Sequence, residues 1–577
     1  MGIQKDGSII IDNFQKGISE NTFGDFVTMK NMNITDSPGI ITAGKVVYPY
    51  GPTVIADQTF TAVAATDIIT VADTNITRLN GASFLNATGV AVRFTTTDTL
   101  PSGLAVDTDY FLIYSSTKNY KVATNYGNAD DGTEIDITDA GTGVHTIIVT
   151  YPDNIRFFTK NNSGTFGLDT DGNVWLMGTS PRLLPGGGTY KSFGNGLSSF
   201  NDFLFVFRSS KIDVLDVSTS AKLEDPVGTS AWTEDWQSLN DSAGSSVRKN
   251  SIYSVDGIIY FCDTNYIGKI KELTTFVPAT SATYEYNNKA LDFPIGTNPS
   301  VLEDLGSQLM IGASDSNLYS WDRISTSFNL PIEIPSISSM KTINNVLYIL
   351  SKEDTSIYAT NGVSINRVKK LNDYITKRSS NSSPYQSVNF GNAILENNKL
   401  MFGVSINTTD EINNGVYSYN TTTGALEQDY MMDGNTLGKS SSTIGLINSG
   451  NGVISMGGSD GYYRNDNSAF YSSYESFFET GLVKIGDALN KKTYSSLIFE
   501  LEENLNNNEK LKIEYRTTLN GTYLSLAEFD YATYGARNFL EVGTGIHDLT
   551  QIQFKVSLQT ARGTDRTDVK LRSIIIK

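Results

Sequence analysis

Between about Arg156 and Tyr471 the chain repeats one arrangement of apolar and polar positions. A short run of β-branched or aromatic residues leads into a polar turn of Gly, Asp, Asn or Ser, and a second short apolar run follows. The pattern is seen in GLDTDGNVWLMG (Gly167–Gly178), DFLFVFRSSKIDVLDV (Asp202–Val217), DGIIYFCDTNYIGKI (Asp256–Ile270) and QLMIGASDSNLYSWD (Gln308–Asp322). It returns in the segments Val346–Gly362, Lys399–Gly424 and Asn451–Asp466, making seven in all. Such a run–turn–run reads as an antiparallel hairpin. The turns recur roughly every 40 to 60 residues, the spacing of propeller blades, each a four-stranded sheet set around a central channel. The expected core is therefore a β-propeller of about seven blades over 152–472. The repeats share no fixed signature and no kelch-type double glycine at a constant offset, so an irregular β-sandwich or several small β-domains remains the competing architecture.

The pattern changes on both sides of this region. Residues 1–54 hold short strands such as SIIIDNF (Ser8–Phe14) and the stretch Phe26–Val47, broken by a turn at Ser37, Pro38 and Gly39. That is too little to bury a core, so these strands must pair with something distant. Residues 55–151 alternate apolar and polar residues between turns every 8 to 12 residues or so, as one compact all-β module does. From 473 to 577 the alternating strands lengthen, in Phe477–Asn504, Leu511–Leu526 and Ile552–Lys577, and read as a β-sandwich. We expect 1–54 and 473–577 to share one platform, such that deleting 1–54 unfolds the platform and spares the propeller. The 55–151 module is expected to be an independent decoration, removable without loss of assembly.

Composition agrees with an all-β chain. Of 577 residues only 18% are charged, 11% are aromatic, and there are 50 glycines and 30 tyrosines. Lys plus Arg number 44 against 62 Asp plus Glu, a net charge of -18, which disfavours tight nucleic-acid binding because phosphates need clustered Lys and Arg. The N-terminus has neither a basic n-region nor an apolar h-region, and no run of 18 apolar residues occurs, so no membrane span is expected. Asp6 stands where a myristoylation motif needs Ser or Thr. The single cysteine, Cys262, lies inside an apolar strand and reads as a core residue.

Chemistry-bearing motifs are few. Asp169, Asp171, Gly172 and Asn173 could begin a calcium loop, but the residues that follow are apolar where further oxygen ligands belong, so we read a tight turn. The same stretch lacks the leading Ser of a sialidase Asp-box. With only His145 and His547, a triad or a histidine acid–base pair has little to draw on, and GxSxG, P-loop, HExxH and CxxC are absent. Glu234 and Asp235, between Trp232 and Trp236, are the most suggestive spot for sugar, set against a surface loop that packs its two tryptophans on the propeller. No catalytic, cofactor or metal residue is assigned, and no enzyme activity is expected.

Two segments carry a resemblance. LPSGLAVDTDYFLIY, NYKVAT, NADDGTEIDIT and GTGVHTIIV resemble, in order and spacing, a small β-domain of tailed-bacteriophage structural proteins. The FETGLVKIGD entry, Lys491–Lys492, the strand Ile513–Arg516 and the closing Ile-rich strand resemble the terminal domain of distal tail-ring proteins. Taken whole, the order resembles the tail nozzle family of short-tailed phages, also called tail tubular protein B. The resemblance implies a structural virion protein, made in the host cytoplasm and built into the phage tail as a hexameric ring. That ring would contact portal-adaptor or other tail ring proteins and tail fibres, and genomic DNA would pass through its lumen without tight binding. An acidic lumen fits such passage, since only charges within the Debye length, about 8 Å, act on the DNA. Arg562, Arg566, Lys570 and Arg572 are the candidate interface cations, with ordinary solvated charges as the alternative. The competing functions are a receptor-binding tail adhesin recognising host surface glycan and a polysaccharide depolymerase.

Overall fold

The structure is a computed structural model. It describes residues 58–72, 88–106, 108–152, 154–178, 181–186, 194–241, 249–329, 331–371, 388–406, 415–431, 445–450, 453–458, 461–466, 476–480, 483–484, 492–506, 509–518, 521–535, 537–559 and 570–577. Before residue 58 it describes the backbone of six short strands.

Each of the seven hairpins forms the middle pair of a four-stranded antiparallel sheet. In the first sheet the strands are Phe157–Asn161, Gly164–Leu168, Val174–Met177 and Arg182–Leu184. The second runs Gly196–Phe200, Phe203–Phe207, Lys211–Asp216 and Trp232–Ser238. The sheets that follow start at Ser251–Tyr253, Pro299–Leu305, Ile337–Ile343, Val388–Glu396 and Gly445–Gly450. These first strands touch one another in succession, and the last touches the first, so the sheets close into a ring: the fold is a β-propeller. The middle strands read as continuous apolar runs because both faces are covered by neighbouring sheets. Leu204, Phe205, Val206 and Phe207 are all fully buried.

Two devices place the turns. Asn344 and Asn345 (φ 50° and 60°), and Asn397 and Asn398 (φ 48° and 60°), form two-residue hairpin loops with both central residues left-handed, the type I′ geometry that Asn tolerates. An Asp four residues before a Tyr recurs at Asp256–Tyr260, Asp315–Tyr319 and Asp354–Tyr358, and each phenol donates to its Asp carboxylate. Burial first, and then the acceptor carboxylate, pushes the Tyr319 and Tyr358 phenols up to about 12.

The seventh sheet takes its outer strand from the far end of the chain: Lys45–Tyr50 pairs antiparallel with Gly461–Asp466. The segment expected to belong wholly to the platform is thus divided. Gly2–Ile3, Ile9–Ile11, Met32–Ile34 and Ile40–Thr42 join a seven-stranded sheet with Lys492–Leu501, Phe539–Leu549 and Leu571–Ile576. Phe26–Lys30 joins a six-stranded sheet through Ser476–Thr480, and Lys45–Tyr50 closes the propeller. The physical reason is that the last hairpin region supplies only three strands of the seventh sheet, and Lys45–Tyr50, lying between platform and barrel in the chain, supplies the fourth. The platform core runs without a break into the fifth and sixth sheets, joining Phe499, Leu511 and Phe554 to Leu350, Phe390 and Phe402.

Between the closing strand and the first sheet, six strands, Gln58–Val63, Ile68–Val71, Val90–Thr96, Tyr110–Ser116, Asn119–Ala123 and His145–Val149, form a closed barrel. Its core holds Phe94, Phe111 and Tyr120 and extends to Trp175, Met177 and Leu183 of the first sheet and Tyr462 of the seventh. The expectation of an independent decoration is therefore corrected. The barrel shares apolar burial with both sheets at the joint where the ring is closed, since it enters and leaves the chain there.

Candidate functional site

At that joint the turn Leu168–Val174 is held by Asp169. Its Oδ1 accepts from the Asn173 amide at 2.8 Å, and its Oδ2 accepts from Asn173 Nδ2 at 2.8 Å and Trp175 Nε1 at 2.9 Å. Burial is the larger influence on the carboxyl and pushes its pKa up to about 6 against these donors. The motif is thus a structural turn between two strands. Among the described residues no group of three or more His, Cys, Asp or Glu is placed to hold a metal ion.

Asn173 also faces outward from this turn. Its Oδ1 accepts from Arg93 of the barrel at 3.2 Å, and Arg93 Nε lies 2.6 Å from Asp109 Oδ1. On the second sheet Arg208 donates to Asp213 at 3.0 Å and to the Gly172 carbonyl. These two arginine–aspartate pairs border a cleft of about 830 Å³, walled by the barrel, the first sheet and the second sheet. Trp232, Glu234 and Asp225 form the second-sheet wall, while Tyr110 and Asn125 belong to the barrel. Two spots singled out in the sequence, Asn173 and the Trp232–Trp236 segment, are brought to one place.

The Trp232–Trp236 segment is a strand and not a loop. Its indole groups donate to the Pro185 and Pro278 carbonyls at 2.8 and 3.0 Å, and Trp236 packs among Phe205, Phe276 and Tyr284. Pairing with Lys211–Asp216 slips between Ile212 and Val214, and Asp235 sits at φ 52° with its amide on Asp213 Oδ1 at 2.8 Å. Such a bulge turns adjacent side chains away from the regular alternation. The barrel residues of the cleft escaped sequence reasoning because nothing local ties Arg93 or Asp109 to a turn lying 60 or more positions onward.

The remaining candidates lie elsewhere. Lys570 pairs with Glu502 at 2.5 Å and Arg572 with Glu500 at 3.6 Å, both within the platform. Arg572 keeps 58% of its side chain exposed. Arg562 and Arg566 lie outside the described residues. His145 is buried in the barrel with Nδ1 on Thr96 Oγ1 and Nε2 on the Ala140 carbonyl. Cys262 is buried in the core shared by the third and fourth sheets, and burial pushes its thiol pKa up. No helix among the described residues is long and apolar enough to cross a membrane.

No protein-family model and no curated protein sequence matches the chain. Solved structures similar to it include the WD40 β-propeller domain of Doa1, 10% identical with a TM-score of 0.38, covering 55% of this chain and 93% of that one. The computationally designed Ika8 protein is 11% identical with a TM-score of 0.34, covering 54% and 96%. A chain of the Mitotic Checkpoint Complex is 14% identical with a TM-score of 0.37, covering 55% and 88%.

Proposed function

We propose that the chain is a structural subunit of a bacteriophage tail, of the tail nozzle kind, which assembles into a sixfold ring and conducts DNA during ejection. One observation carries the reading: the two ends of the chain are woven into the same pair of platform sheets, and the propeller and barrel are carried between them. In this reading the platform, whose two sheets hold strands from both ends of the chain, packs side by side with copies of itself and carries the propeller. The order of parts is the one that the resemblance to tail nozzles implies. In this reading the ring contacts a portal-adaptor or other tail ring protein, and Arg572, exposed at the platform surface, serves one of these contacts. Lumen acids keep the DNA mobile, because each Lys or Arg contact to phosphate adds a salt-dependent hold. The test is DNA release from particles whose lumen acids are reversed to Lys: slower release with intact assembly supports conduction, and unchanged release removes it.

A further inference from the structure

The cleft lies where the barrel meets the first and second sheets, and two of its wall residues are deeply buried. Arg208 and Asp213 keep only 10% and 1% of their side chains exposed, and Asp213 also fixes the strained bulge at Asp235. The left-handed backbone at Asp235, which Asp adopts more readily than most residues, breaks the regular alternation of this strand beside the cleft. The volume lies within the range of small-ligand pockets.

We propose that this cleft binds a neutral oligosaccharide. The lining sets Asp109, Asp213, Asp225 and Glu234 against only Arg93 and Arg208, so the wall is acidic and repels phosphate, sulfate and uronate groups. Because two of the carboxylates are paired with the arginines, guanidinium donors and carboxylate acceptors lie side by side. A sugar hydroxyl both donates and accepts and can engage both kinds of group on such a surface, whereas the ammonium group of a basic peptide only donates and can engage the carboxylates alone. Trp232 adds an aromatic wall whose ring is pinned through its bond to the Pro185 carbonyl. Val106 and Val227, 53% and 48% exposed, give the cleft apolar contact for the C–H faces of pyranose rings. The site exists only because the barrel is docked on the ring, which gives the shared apolar core a functional consequence. The proposal rests on the cleft alone and stands whether or not the chain forms a conduit.

The experiment is isothermal titration calorimetry on the full chain with maltohexaose, cellohexaose, chitohexaose and mannohexaose, and with heparin hexasaccharide and hexalysine as charged probes. We expect at least one neutral hexasaccharide to bind and the charged probes not to compete with it. Trp232→Ala should weaken binding about tenfold or more, as loss of a central aromatic anchor does. Glu234→Gln, an isosteric change at an exposed position, should weaken it by roughly threefold, since one charge-assisted hydrogen bond becomes a neutral one. Should Trp232→Ala fail to fold, Glu234→Gln decides alone. Binding of none of the four neutral sugars, binding unchanged by the substitutions, or hexalysine held by the same residues would overturn the assignment.

Discussion

Gly457 and Gly445 show how much of the ring closure rests on single residues. A Cβ on Gly457 would stand 2.3 Å from the Ile155 carbonyl oxygen, and one on Gly445 would stand 2.9 Å from the same atom. The seventh and first sheets therefore meet backbone to backbone, and only glycine allows it. Gly457→Ala should destabilise the chain by about 1–3 kcal/mol through forced separation of the sheets, read as a lower urea midpoint. Asp169 supplies a pH signature. Its folded pKa of about 6 lies above the ordinary value of 3.8, so the folded state binds the proton first. Stability from this group therefore rises as pH falls from about 6 toward 3.8 and is lost as pH rises through 6. In Asp169→Asn that slope should vanish, and comparing the urea midpoints of both chains at pH 4.5 and pH 7 checks it. Buried Lys249 bridges Asp241 and Asp263 at 3.0 and 3.1 Å, and Lys249→Ala, by leaving two enclosed carboxylates without their cation, should cost about 3–5 kcal/mol in the same assay.

Among the elements, the hairpins were legible and their surroundings were not, for a physical reason. A middle pair such as Phe203–Phe207 with Lys211–Asp216 is covered on both faces and joined by a tight turn, so its signal is local. The flanking strands carry less: Ile332–Glu333 is only two residues long, and no periodicity marks it. Lys45–Tyr50 could not be assigned to its partner, because Tyr462 lies more than 400 positions from Tyr50 and the pairing is decided by ring closure alone. Likewise the Asn-Asn turns and the Asp-to-Tyr spacing were present in the sequence, but their recurrence shows its meaning only once the strands are placed. In the cleft, Asn173 and the Trp232–Trp236 segment stood out by residue type, while Arg93 and Asp109 arrive through docking of the barrel. The closing strand changes what a truncation should do. Deleting 1–54 should now loosen the propeller along with the platform, so limited proteolysis should cut within the first or seventh sheet; an intact propeller in that deletion would count against strand closure. Replacing 58–149 with a Gly/Ser bridge should expose Trp175 and Tyr462 and lower the melting temperature of the remaining chain.

At the scale of the whole molecule, the continuous core from the platform into the fifth and sixth sheets makes the propeller and platform one mechanical body, so a ring of platforms would fix the orientation of every propeller. The platform pairs Lys570–Glu502 and Arg572–Glu500 lie close to the surface, and each contributes little to the stability of one chain, of order 0–1 kcal/mol. Arg572→Ala should accordingly leave the melting temperature unchanged while weakening assembly, if the platform is the contact layer. The measurement that bears most directly on the proposed role is electron microscopy of bacteriophage particles, with the chain located by a bound antibody fragment. The nozzle reading predicts six copies around the tail axis at the distal end, enclosing a lumen wide enough for duplex DNA; a trimeric spike, or copies held away from the axis, would contradict it.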